Sequence, residues 1–91
     1  MKRIAPEHTH DQLVQTEVAH EILNTARGIV ISRYYEVENS DLELASRLLL
    51  KSKEIHDLKL SFGVTDDETI ASIIAEWREF IEDPERFIRD L

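Results

Sequence analysis

Gly28-Ile29-Val30-Ile31-Ser32-Arg33-Tyr34-Tyr35 reads either as the middle of one long helix or as a strand in a mixed domain, and the two readings build different proteins. One glycine and three successive β-branched residues are poor helix formers. A strand would put Ile29, Ile31 and Arg33 on one face and Val30, Ser32 and Tyr34 on the other. Neither face is cleanly apolar. Helical spacing does better. Upstream, Leu13, Val14, Val18, Ile22, Leu23 and Ala26 recur mostly at steps of three or four, and Ile29, Val30, Tyr34 and Val37 continue the series. One helix is therefore expected to run through this stretch to about Glu38. Its start is marked by Thr9-His10-Asp11-Gln12, where the Thr hydroxyl and the Gln side chain can each satisfy a free backbone N–H.

Glu38-Asn39-Ser40 then reads as a short turn, and Ser40-Asp41-Leu42-Glu43 repeats the capping pattern. Leu42, Leu44, Ala45, Leu48, Leu49, Leu50, Ile55, Leu58, Leu60 and Phe62 give a second long helix. Its apolar arc is wide enough to predict contact with more than one neighbour. Gly63 is expected to end it. Leu58 to Phe62 alternates like a strand, but nothing evident in the chain would pair with it. Two long helices joined by a short turn fold back as an antiparallel hairpin. At roughly 1.5 Å per residue, each arm would reach about 30–40 Å.

The remaining residues are the most amphipathic. Thr65-Asp66-Asp67-Glu68 reads as a third capping box. Ile70, Ile73, Ile74, Trp77, Phe80 and Ile81 then form one apolar face, with Trp77 expected in the core. Glu76, Glu79, Glu82 and Asp83 face the other way. Asp83-Pro84 opens a last short helix, with Pro at its first position and Phe87, Ile88 and Leu91 turned inward. The expected fold is all-α: a long antiparallel helical hairpin, a third acidic amphipathic helix and a short C-terminal helix. Residues 1–8 are expected as a flexible N-terminal arm and 9–91 as a single helical domain. The third helix is too short to cover the hairpin, so a homodimer is the expected completion.

Bulk composition narrows the classes. A chain of 91 residues is one domain, burying roughly 60–65% of the surface its unfolded form exposes. With 42% hydrophobic and 33% charged residues it is a folding composition rather than a disordered one. No apolar run approaches the roughly 18 residues of a membrane span. Met1 to Pro6 is charged but is not followed by the apolar core of a signal peptide, so a cytoplasmic protein is expected. The absence of cysteine removes disulfides, thiolate metal sites and Cys nucleophiles. The net charge of −8 opposes general nucleic-acid binding and would speed association with a basic partner.

Five motifs carry possible chemistry. Glu17-Val18-Ala19-His20 is a Glu-x-x-His pattern of the kind di-iron bundles use. A second such pattern is missing, because His56 is preceded at that spacing by Lys53. A surface ion pair is the simpler reading of Glu17 and His20, and no cofactor or metal is expected. His8 and His10 read as solvent-facing. Arg27, Arg33, Arg47, Lys51 and Lys53 could converge near the hairpin's turn and hold a carboxylate or phosphate, although His10 to Ala26 contributes no cation. Gly63-Val64-Thr65 could turn a helix-turn-helix, but Asp66, Asp67 and Glu68 would then face phosphate and repel it.

The fifth motif is the acidic stripe. Glu76, Glu79, Glu82 and Asp83, with Tyr35 as a second contact, are the expected partner-binding residues. The function expected from these features is a small acidic, non-enzymatic regulator or inhibitor that docks a basic protein, in the manner of immunity proteins, antitoxins or anti-defence adaptors. The alternatives are a metal- or small-anion-binding dimeric helical enzyme using Glu17, His20 and the basic cluster, and a transcriptional regulator contacting DNA through its basic second helix.

Overall fold

The computed structural model describes residues 9–91; the arm read from residues 1–8 lies outside them. Among the described residues there are four helices and no strand: α1 (His10–Val37), α2 (Leu42–Leu60), α3 (Asp67–Glu82) and α4 (Pro84–Arg89). The fold is all-α.

Burial decides the ambiguous stretch. The buried residues Thr16, Ala19, Leu23, Ala26 and Val30 follow one another at steps of three and four along α1, a continuous helical stripe. Val30 lies on that stripe, fully buried in the middle of the doubtful segment. Relative to alanine, Gly28 and its three β-branched neighbours cost a helix about 2–3 kcal/mol in intrinsic propensity. Burying Val30 alone recovers about 1.5–3 kcal/mol, and Ile29 and Tyr34 add partial burial against the same core. Packing outweighs propensity.

Gly28 itself is not required. Its φ is not positive, and a Cβ built on it would meet nothing within 4 Å. Gly28→Ala is therefore expected to stabilise the fold by about 0.5–1 kcal/mol. The measurement is a thermal melt, with a rise of roughly 2–8 °C expected. A fall would mean that the helix needs the glycine for a reason other than space.

Four helix starts were legible in the sequence, with differing success. At α1 the reciprocal cap forms as expected: Thr9 Oγ1 accepts from the Gln12 N–H at 3.1 Å, and Gln12 Oε1 accepts from the Thr9 N–H at 2.9 Å. At α2 the cap is Asp41, not Ser40; its carboxylate accepts from the Leu44 N–H at 3.1 Å. Asp and Ser cap comparably well, and the turn geometry selects between them. At α3 the expected box does not form. The N-cap is Asp66, which makes no side-chain cap bond; its carboxylate instead accepts from the Gly63 N–H at 2.6 Å. The loop uses the acid that the helix would have used. Gly63 does not terminate α2 either, since the helix closes at Leu60 with Ser61 as its cap. Of the alternating Leu58–Phe62 segment, Leu58 to Leu60 are helical and Ser61 and Phe62 follow in the loop, so no strand forms there. At α4 the expectation holds, with Pro84 at the first position and Asp83 Oδ1 accepting from the Arg86 N–H at 3.3 Å.

α2 runs back along α1. The pairing is pinned by Arg27 Nε donating to Ser52 Oγ at 3.2 Å and by Lys59 Nζ donating to Asn24 Oδ1 at 2.9 Å. The hairpin is antiparallel. α3 then returns beside α1 in the same direction as α1, its start tied by Gln12 Nε2 donating to Asp67 Oδ1 at 3.1 Å. α1 is the shared wall against which α2 and α3 both pack, while α4 packs on α3. One core results, with Leu23 and Val30 from α1, Leu48 and Ile55 from α2, Ile70 and Ile73 from α3, and Phe87 and Ile88 from α4.

The wide apolar arc of α2 is only partly used. Leu42, Leu49, Leu50 and Leu60 are 75%, 48%, 64% and 70% exposed, and Tyr35 of α1 is 69% exposed. The expectation that α2 meets several neighbours is corrected within the single chain, where its extensive packing is with α1. No helix among the described residues is long and apolar enough to cross a membrane.

Candidate functional site

α3 is the element with the sharpest division between faces. Ile70 and Ile73 are buried, Ile74, Trp77, Phe80 and Ile81 are half-buried, and Glu76, Glu79 and Glu82 are exposed. Helical geometry imposes this, because residues three and four apart share a face. Asp83 breaks the helix and caps the next one, so α4 folds back and carries Phe87 against α3. Ring centroids of Trp77 and Phe80 lie 5.1 Å apart at 88°, those of Phe80 and Phe87 5.1 Å apart at 12°, and those of Trp77 and Phe87 6.0 Å apart at 75°. These are the edge-to-face and stacked arrangements that the ring quadrupoles favour.

The rings do not close into a sealed core. A cleft of about 320 Å³ opens beside them, lined also by the acids Glu76, Glu79, Asp83 and Asp90 and by the cations Arg86 of α4 and Lys51 of α2. Trp77, expected in the core, is half-buried and lines this cleft. Sequence reasoning found Glu76, Glu79 and Asp83 and missed the cleft. Phe87 was legible only as an inward residue of α4, and nothing local linked Lys51 to α3. Of the other expected partner-binding residues, Glu82 is exposed but does not line the cleft. Tyr35 does not line it either; it sits on α1 with its ring edge-on to Tyr34 at 5.6 Å.

The basic residues distribute differently from the expected cluster. Arg27 is spent on Ser52. Arg33 pairs with Glu36 at 3.1 Å, Arg47 with Glu43 at 3.5 Å and Lys51 with Glu54 at 2.9 Å, each within its own helix. Lys53 is exposed. Arg33 and Arg47 do line one cleft near the hairpin's turn, joined by Arg89 of α4, but Glu85 shares it. With local acids already on two of the three arginines and a third carboxylate, Glu85, present, that cleft holds little net positive charge.

Glu17 and His20 do not form the expected surface ion pair. Glu17 is exposed and engages no cation among the described residues, whereas the His20 ring packs on Phe62 with centroids 5.2 Å apart. Its Nε2 is buried without a hydrogen-bond partner among the described residues. The imidazole serves as an aromatic surface under the loop after α2, at the cost of an unsatisfied nitrogen. Among the described residues, no three His, Asp or Glu side chains come together in a way that could hold a metal ion. His10 is exposed at the start of α1, and His8 lies outside the described residues. No protein-family model matches the chain, and no similar curated protein or solved structure was found.

Proposed function

We propose that this chain is a small, non-enzymatic protein-binding regulator or inhibitor that acts in the cytoplasm by docking a basic partner protein on its acidic α3–α4 surface. One observation carries the reading. Every ion pair among the described residues joins side chains three or four apart in a single helix, and none engages Glu76, Glu79, Glu82 or Asp83. Among the described residues these four carboxylates therefore stand close together without an ion pair, on a chain that is already strongly negative, although Lys51 and Arg86 border the same cleft as three of them. Like charges at helical spacing repel one another. A basic partner would remove that repulsion, and its approach would be accelerated by the field of the whole protein.

The same reading includes a homodimer. Leu42 and Leu60 lie eighteen residues apart and Leu42 and Leu49 seven, so all three sit on one side of α2. A second copy laid against that side would cover them and leave the acidic face of α3 free for the partner.

Capture tests the docking surface. Immobilised protein is expected to retain a basic partner from native lysate at low salt and to release it at high salt, as exposed ion pairs are screened. The variant Glu76→Lys/Glu79→Lys/Glu82→Lys is expected to retain none of it while keeping the helical circular dichroism spectrum. Equal capture by the folded variant would remove the reading's main support.

A further inference from the structure

We infer that the cleft edged by Glu76, Glu79 and Asp83 receives one arginine side chain of the partner protein. This rests on the acidic-surface reading and adds the chemistry of the anchor. The argument joins three properties of the cleft.

The first is its wall. Phe87 is buried while Trp77 and Phe80 are only partly so, leaving two aromatic rings at right angles within reach of a guest and a third behind them. Aromatic faces attract cations through the ring quadrupole, Trp most strongly. The second is charge. Two cations also border the cleft, but Lys51 is held by Glu54 at 2.9 Å and Arg86 by Asp90 at 3.7 Å. The carboxylates of Glu76 and Glu79 are thus left to a guest, beside that of Asp83, which accepts only its own cap bond from Arg86. The third is size. At about 320 Å³ the space lies at the small end of ligand pockets, which run from about 300 to 1,000 Å³, and suits a side chain better than a large cofactor.

Guanidinium meets all three better than ammonium. It is planar and weakly hydrated, so it can lie on a ring while its N–H edge donates to carboxylates at the rim. An ammonium is a strongly hydrated point charge and loses more on entering. Arginine is also enriched among the residues that dominate protein interfaces.

Trp77 is the chain's one tryptophan, so its fluorescence reports on the cleft directly. The probes are tetra-arginine, tetra-lysine and the uncharged analogue tetra-citrulline, each carrying a dye for anisotropy. Tetra-arginine is expected to shift Trp77 emission saturably, and tetra-citrulline to leave it unchanged. Glu79→Gln and Phe80→Leu are each expected to weaken tetra-arginine by roughly twofold to fivefold. Glu79 is exposed, so its variant keeps the test valid if Phe80→Leu loses the fold. Binding by anisotropy with Trp77 unmoved, and with Glu79→Gln as tight as the parent, would overturn the cleft and leave the acidic surface standing. Equal emission shifts and affinities for tetra-lysine would overturn the guanidinium assignment. Failure of both basic peptides to bind at low salt would remove this inference and the surface reading together.

Discussion

Leu23→Ala is expected to lower the unfolding free energy by about 2–5 kcal/mol. Leu23 is fully buried on the shared wall of the fold, in the one core to which all four helices contribute. Truncating it loses the transfer free energy of the side chain and leaves a cavity that rigid helices on two sides cannot collapse into. A domain of this size has only about 5–15 kcal/mol in total. At about 4–8 °C per kcal/mol for a short chain, the melting temperature should fall by roughly 8–40 °C. Leu50→Ala is the control. Leu50 is largely exposed and is not one of the three leucines assigned to the dimer, and its truncation should stay within about 0.5 kcal/mol. Urea unfolding of both variants measures the difference. Similar midpoints for the two would mean that α1 is not the wall on which the other helices depend.

Leu49→Glu is expected to dissociate the proposed homodimer. A two-fold interface uses the same patch on both copies, so a single substitution acts twice. Each lost leucine contact forfeits about 1.5–3 kcal/mol of burial, and a carboxylate in its place adds the cost of desolvating a charge. At about 1.4 kcal/mol per factor of ten, the two together weaken association by at least roughly a hundredfold. The fold should survive, because Leu49 is already about half exposed in the single chain. Sedimentation velocity across a concentration series reads the change directly. Unchanged sedimentation of the parent and the variant as monomers would withdraw the dimer, and the leucines of α2 would need another occupant.

The two proposals meet at α2 but use different sides of it. Lys51 borders the aromatic cleft, whereas Leu42, Leu49 and Leu60 share another side of the helix. A dimer formed there leaves both acidic surfaces open, and a bivalent protein could engage two basic sites at once. That arrangement would raise avidity without any new contact, provided the spacing of the partner's sites matches.

Sequence by itself determined whatever depends on residues three or four apart. The stripe from Ile22 to Val30, the Thr9 box, the Asp83–Pro84 start of α4 and the separation of acidic from apolar faces on α3 are all consequences of helical period and local capping. Each is legible because the interacting groups are near neighbours in the chain. Nearer the start of α1, Leu13 and Val14 were read as apolar-face residues but are exposed, while Thr16 and Ala19 are buried. Where two neighbours offered the same chemistry, the sequence could not choose. Ser40 and Asp41 were both able to cap α2, and Asp66 could serve either α3 or the Gly63 amide; loop geometry made those selections.

Tertiary structure alone decided which apolar residues stay in water and where the cleft opens. Leu48 and Leu49 are adjacent and chemically identical, yet one is fully buried and the other about half exposed. The difference is the side of α2 that α1 occupies. The cleft joins Lys51 of α2 to Trp77 of α3 and Phe87 of α4, residues brought together only by the register of helices packed on a common wall. His20 met Phe62 rather than Glu17 for the same reason. Period and caps are properties of a segment, but a concave surface is a property of how segments sit against one another, and no single segment encodes it.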